Sequence, residues 1–176
     1  MAVPTRITVV GVGNEFRRDD GLGPAVITRL KEGRATRPLP PGTVLASSDG
    51  DPGRLIGLWE EAGLAVVVDA AHVHPGCPGR VHRLELGEHG VRRPGAASTH
   101  GLGLGEAVEL SRVLGRLPAH LIVYAVESGD GSLGTGLTKA VAAVVEPLAR
   151  RIEKDIAEYH AAVPPEAPPP VNAREV

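Results

Sequence analysis

The chain has 176 residues, of which 42% are hydrophobic and 23% charged, values typical of one globular domain with its own core. Aromatic residues make up only 2% and the formal net charge is −2. These values argue against a stacking surface for single-stranded nucleic acid and against a basic surface for a phosphate backbone. Cys77 is the one cysteine, which excludes an intramolecular disulfide and a cysteine-rich metal cluster.

The chain shows no sign of a membrane or export segment. No apolar run approaches the ~20 residues that a membrane-spanning helix requires. Residues 1–6 lead directly into a strand-like segment, so we expect no signal peptide. These features predict a cytoplasmic protein.

Apolar runs and helical spacings alternate along the chain. The predicted strands are 6–12, 43–47, 64–68, 81–86 and 121–126, and the predicted helices are 21–32, 54–61, 103–114 and 138–160. Pro24 falls in the first turn of the first helix, whereas Pro147 lies inside the last one and predicts a kink or a break. The alternation predicts an α/β fold, a three-layer αβα sandwich with a mostly parallel sheet. This domain covers 1–160, and we expect the proline-rich tail over 161–176 to be disordered.

Polar residues that directly follow strands are the first candidates for a site, because such sheets bind ligands beyond the carboxyl ends of their strands. These residues are, in chain order, Asp19, Asp20, Asp49, Asp51, Asp69 and Glu127. His100 lies in a loop that leads into a helix and can reach the same edge. The candidate site therefore lies at one edge of the sheet.

Common nucleotide and hydrolase motifs are missing. The loop after the first strand begins as G-x-G, but Phe16 occupies the sixth position, where a dinucleotide fingerprint requires glycine. Asp19 and Asp20 would also repel a pyrophosphate there. The chain contains no P-loop, no His-Glu-x-x-His helix and no Gly-x-Ser-x-Gly elbow.

Asp20, Asp69 and His100 each have an ordinary structural explanation. Asp20 suits a helix N-cap, worth ~1 kcal/mol, Asp69 could cap the loop after its strand, and His100 could be a plain loop residue. As a set, the three residues suggest a metal site. Two carboxylates and an imidazole provide oxygen and nitrogen ligands suited to a borderline divalent ion such as nickel or zinc. Positions left open would receive water or a ligand of the substrate.

Other polar residues carry weaker signals. His72 and His74 could be ligands, but an exposed loop explains them better, and Cys77 is best explained as a turn residue. Glu127 could support a metal ligand from behind or cap a loop, and the sequence leaves both alternatives open.

Three segments resemble the nickel–iron hydrogenase maturation proteases. GVGN at 11–14 followed by DDGLG at 19–23 is similar to their opening pattern, G-x-G-N, four residues and D-[DE]-G-x-G. VVVDA at 66–70 resembles their strand ending in a metal-binding aspartate, and STHGLGL at 98–104 resembles their histidine segment. The glycine loop before Thr138 is also similar, so the resemblance covers roughly 6–156.

The resemblance implies an endopeptidase that removes a C-terminal extension from the large-subunit precursor of a [NiFe] hydrogenase after nickel insertion. It implies metal contacts at Asp20, Asp69 and His100, with the nickel carried by the substrate. Another divalent ion such as zinc or cadmium could occupy the site. The implied fold is a twisted five-stranded sheet with one antiparallel strand, which suits the weak strand at 81–86. An aspartic-type and a metal-dependent mechanism both remain open.

The chain also departs from its relatives. Many of them have Glu at the position of Asp20, and a Gly-Gly-Thr-like turn where this chain has Asp49-Gly50-Asp51-Pro52. The second difference leaves the cognate hydrogenase open. Alternatives to a peptidase are a non-catalytic nickel-binding module for hydrogenase assembly and a hydrolase or transferase of small molecules. A catalytically dead homologue is disfavoured by the complete set of three candidate ligands.

Overall fold

The computed structural model describes residues 6–87, 90–91 and 102–163. The strands are β1 (Ile7–Val12), β2 (Val44–Ser48), β3 (Leu64–Ala71), β4 (Val81–Gly87), β5 (Gly90–Val91) and β6 (His120–Glu127). The helices are α1 (Leu22–Gly33), α2 (Pro52–Trp59), α3 (Leu102–Leu114), α4 (Lys139–Ala142) and α5 (Val145–Ala162). A 3-10 helix over Arg18–Gly21 precedes α1.

The sheet has the strand order β2-β1-β3-β6-β4-β5. β2, β1, β3 and β6 are parallel, and β4 pairs with β6 in the antiparallel direction. This confirms the predicted five-stranded, mostly parallel sheet with one antiparallel strand. The sequence did not predict β5, which pairs with β4, because a strand of two residues has no alternation to detect.

Helices cover both faces of the sheet, which confirms the three-layer arrangement. On one face, α1 and α5 pack against Val66 and Val68 of β3. On the other face, α2 and α3 pack against Ala65 and Val67. Because side chains alternate along a strand, Asp69 belongs to the α2–α3 face, against which the first turns of α3 pack.

The strand β3 ends later than predicted, and the predicted last helix is broken in two. β3 does not end at residue 68, because it stays paired with β6 up to the register Ala71↔Glu127. Asp69 therefore lies within the strand. The predicted helix 138–160 is divided into α4 and α5, which confirms the break. Pro147 lies in the first turn of α5, where its missing N–H removes no helical hydrogen bond.

The predicted tail over 161–176 falls almost wholly outside the described residues. Helix α5 continues to Ala162, and the described chain ends at residue 163. Among the helices of the described ranges, none combines the length and the apolar character needed to cross a membrane.

Candidate active site at the carboxyl edge of the sheet

The loops after β1 and β6 meet beyond the carboxyl ends of the parallel strands, where the sequence predicts the site. Arg18 N donates to Gly134 O, and Gly134 N donates to Phe16 O, each at 2.9 Å. Arg17 and Gly134 form a parallel bridge. Two segments that are distant in sequence thus form one continuous rim.

Glycines let the first loop pack directly on the end of β1. A Cβ on Gly11 would lie 2.2 Å from Gly23 O, and a Cβ on Gly23 would lie 2.3 Å from Val12 O. A Cβ on Gly13, whose φ is +136°, would lie 1.9 Å from Asp20 O. Side chains do not fit at these distances, so the spacing of the glycines is what brings the Asp20 backbone onto β1.

Asp20 is half-buried in the 3-10 helix and does not cap α1. Gly21 holds the N-cap position of α1, and no side chain caps it. Asp20 Oδ2 instead accepts a hydrogen bond from Asn14 N at 2.9 Å. The capping explanation of Asp20 is therefore wrong, and within the described residues its second carboxylate oxygen accepts no hydrogen bond.

Asp69 carries a strongly perturbed carboxyl group. Burial, followed by the negative charge of Asp20, raises its pKa to about 7, and the Ala70 amide opposes this only in part. The two carboxyl groups are thus close enough to repel each other. A carboxyl group that titrates near neutral pH can both hold and accept a proton, which suits acid–base chemistry.

The pair Asp20 and Asp69 also fits a cation. Two neighbouring carboxylates with few hydrogen-bond donors gain from a positive charge close to both. No cluster of three or more potential metal ligands occurs within 6–87, 90–91 and 102–163. His100, the third predicted ligand, lies outside these ranges, so the structure brings together two of the three predicted residues.

Asp19 is a buried residue whose structural role was not predicted. From the sequence, its negative charge served only as an argument against a bound pyrophosphate. Its side chain is fully buried. Oδ2 accepts from Gly129 N at 2.8 Å, Asp130 N at 3.0 Å and Thr138 Oγ1 at 2.9 Å, while Oδ1 accepts from Thr138 N at 2.7 Å. Asp19 therefore fixes the loop after β6 against the 3-10 helix that carries Asp20.

Glu127 holds the loop between β3 and β4, as the loop-capping alternative predicts. Its carboxylate accepts a hydrogen bond from Cys77 N and lies 2.7 Å from His82 Nε2 and 3.7 Å from Arg80 Nη1. The Cys77 amide, followed by His82, holds the pKa of Glu127 below its ordinary value. His82 is part of this loop anchor.

The two aspartates after β2 have local structural roles. Asp51 Oδ1 accepts from Arg54 N at 2.8 Å and so caps α2. Asp49 lies 3.6 Å from Arg54 in an exposed ion pair. Neither contact involves Asp20 or Asp69.

The remaining candidate ligands lie in the loop between β3 and β4 and are exposed to solvent. His72 and His74 are exposed, which confirms the loop explanation, and Cys77 is an exposed free thiol. His72 approaches the loop after β6, because a Cβ on Gly131 would lie 2.7 Å from its ring.

Comparison with known proteins identifies the family. A sequence model described as "Hydrogenase maturation protease" matches residues 49–155. The chain belongs to the hydrogenase maturation protease family. It is 27% identical over 148 residues to the hydrogenase 2 maturation protease of Escherichia coli K12, covering 84% of this chain and 88% of the relative.

Solved structures of hydrogenase maturation proteases have the same fold. The endopeptidase HybD from E. coli superposes with a TM-score of 0.69 at 25% identity, covering 88% of this chain and 93% of that chain. HycI from Thermococcus kodakarensis superposes with a TM-score of 0.60 at 25% identity, covering 87% and 93%. The protein is therefore a peptidase of the hydrogenase maturation protease family.

The family match contains Asp69 and begins after the loop that carries Asp20. The geometry joins these two parts, because it places the carboxyl groups of Asp20 and Asp69 within electrostatic reach of each other. The roles of Asp20, Asp69 and His100 of this chain in metal recognition and catalysis stay predictions.

Proposed function

We propose that this peptidase removes a C-terminal extension from the nickel-loaded large-subunit precursor of a [NiFe] hydrogenase. Asp20, Asp69 and His100 form the site that recognises the metal. The observation that carries the proposal is the juxtaposition of Asp20 and Asp69, with the pKa of Asp69 raised to about 7. The relative named hydrogenase 2 maturation protease supports the same class of substrate.

Nickel arrives with the precursor and serves as the recognition signal. Asp20 and Asp69 repel each other when both are ionised, and a divalent ion between them removes that repulsion. The proton held by Asp69 near neutral pH leaves when the ion binds, because a nearby positive charge favours the carboxylate. His100 adds a neutral nitrogen ligand, and zinc or cadmium could occupy the same oxygen and nitrogen site.

The carboxylates then serve the hydrolysis of one peptide bond. The bound ion fixes the precursor so that its scissile carbonyl lies beside the site, and it can polarise that carbonyl. Asp69 accepts a proton from the attacking water as the carbon–oxygen bond forms, and it can return the proton to the leaving amine as the carbon–nitrogen bond breaks. Asp20 holds the metal-bearing segment in place.

Intact-mass spectrometry tests this function. The purified protein is incubated with a nickel-loaded large-subunit precursor from the same source, and with a nickel-free precursor as the control. We expect loss of one C-terminal peptide, and only when nickel is present. Cleavage that is independent of nickel would refute the metal-recognition step.

Variants separate a peptidase from a module that only binds. The variants Asp20→Asn and Asp69→Asn should leave the mass of the precursor unchanged, whether they bind it as a complex or only weakly. A wild-type protein that forms a stable complex without any loss of mass would instead support a non-catalytic docking module for hydrogenase assembly.

A further inference from the structure

Two large apolar side chains are exposed on the rim formed by the loops after β1 and β6. Phe16 is 61% exposed and Leu133 is 77% exposed. Phe16 O accepts the hydrogen bond from Gly134 N at 2.9 Å, and Leu133 directly precedes that glycine. The backbones of Phe16 and Leu133 are therefore neighbours. We call these two residues the apolar pair.

A chain of hydrogen bonds connects the apolar pair to the site. Asn14 N donates to Asp20 Oδ2 at 2.9 Å, and Asn14 Oδ1 accepts from Phe16 N at 2.9 Å. Arg17 N donates to Asn14 O at 3.0 Å. Phe16 therefore lies on the same hydrogen-bonded loop as Asp20, and a substrate chain that extends from Asp20 along this loop reaches Phe16.

The backbone that presents the pair is fixed in advance. The four hydrogen bonds accepted by Asp19 hold the loop 129–138, and the bridge between Arg17 and Gly134 holds the first loop beside it. A loop whose backbone is already fixed needs little further ordering when a partner binds. Aromatic side chains such as Phe16 are enriched in protein interfaces, and here an exposed aliphatic side chain lies next to one.

We propose that Phe16 and Leu133 bind an apolar segment of the precursor that flanks its scissile bond. This inference rests on the proposed function, because the occupant is the substrate of that same site. The pair makes the affinity for the precursor depend on apolar side chains near the cleavage point, in addition to the metal. It takes no part in the chemical step.

Cleavage kinetics of the nickel-loaded precursor test the pair. The double variant Phe16→Ser/Leu133→Ser should raise KM about tenfold or more and leave kcat nearly unchanged, since it removes binding that is equal in the ground and transition states. The matched control is Val113→Ser/Leu114→Ser on α3, where the side chains are 81% and 50% exposed. The control should have wild-type KM, and Phe16→Leu/Leu133→Met should restore most of the affinity.

Binding measured without cleavage gives a second readout. In an Asp69→Asn background, the two serine substitutions should weaken binding of the nickel-loaded precursor by a similar factor. Wild-type KM and affinity in the double variant, with cleavage by the wild-type protein intact, would overturn the inference alone. Absence of cleavage by the wild-type protein would overturn the proposed function and this inference with it.

Discussion

Asp69 and Glu127 lie near the carboxyl ends of adjacent strands, yet the pKa values of their carboxyl groups shift in opposite directions. β3 and β6 pair in parallel, with Ala71 opposite Glu127. The pKa of Asp69 is raised to about 7 by burial and by Asp20. The pKa of Glu127 is lowered, chiefly by the Cys77 amide and then by His82.

Burial raises the pKa of both carboxyl groups, but at Glu127 the hydrogen-bond donors outweigh it. Glu127 is only 3% exposed, whereas Asp69 is partly accessible. The two sites differ in their supply of donors. Glu127 meets an amide, an imidazole and a guanidinium, while Asp69 meets another carboxylate and only the Ala70 amide. Donors stabilise the ionised form, and where they are few, burial and repulsion favour the protonated form. Glu127 therefore suits a structural role, and Asp69 suits a chemical one.

The largest effect expected from this difference is on activity. Asp69→Asn should lower the rate of precursor cleavage about 1000-fold, because an amide accepts no proton from water. Unfolding in urea at pH 8 should show equal or greater stability than wild type, since the change removes a repelled, partly buried charge. Asp49→Asn, at an exposed carboxylate on the same edge of the sheet, is the control and should keep wild-type cleavage.

A second prediction concerns the pH dependence of stability in metal-free protein. The folded state keeps the Asp69 proton up to a pKa of about 7, whereas the unfolded state loses it near pH 4. The Asp69 contribution is therefore fully present below about pH 4 and is lost as pH rises to about 7, by at most about 4 kcal/mol. Urea unfolding across this range should show a difference in slope between wild type and Asp69→Asn. Parallel profiles would contradict the raised pKa.

Asp19 provides a third test of the contrast between carboxylates that meet many hydrogen-bond donors and those that meet few. It is buried like Glu127 and lies next to Asp20. Asp19→Asn should destabilise the fold by about 3 kcal/mol, since the new NH2 group would face N–H donors from the loop 129–138. Urea unfolding measures this loss. Cleavage should also slow, because Asp19 fixes the segment that carries Asp20, and Asp130→Asn on the same loop is a milder control. A stability equal to wild type would show that the loop is held by other contacts.

The sequence predicted the sheet and the segment patterns well, because buried strands and glycine spacings leave local signals. Asp20 and Asp69 were predicted as site residues because Asp20 lies in the loop after an apolar strand segment and Asp69 at the end of one, each in a recognisable motif. Asp19 was not recognised as an anchor, since its donors are mostly backbone amides of residues 129, 130 and 138. Backbone amides occur at nearly every position and leave no sequence signature.

The strand pairing and the charge state of Asp69 were likewise out of reach of the sequence. The strand-end prediction placed Asp69 after residue 68, but β3 continues because its pairing with β6 extends to Ala71. Whether a strand-end carboxylate meets donors depends on which loop folds over it. Glu127 meets the loop carrying Cys77 and Arg80, and this tertiary contact has no local pattern.

The smallest expected effect comes from Glu127 itself. Glu127→Gln should lower the melting temperature by a few degrees, because the amide keeps the shape but loses the charge that Arg80 and His82 meet. Its lowered pKa means that the wild-type contribution is present at neutral pH and is lost as pH falls below the ordinary range of a glutamate. The difference in melting temperature between wild type and Glu127→Gln should therefore close on acidification, opposite to the trend for Asp69.

Glu158→Gln is the control for calorimetry, because its exposed pairing with Lys154 at 3.6 Å contributes little. If the gap instead widened in acid, Glu127 would be protonated in the folded state, and the donors around it would not be what separates it from Asp69.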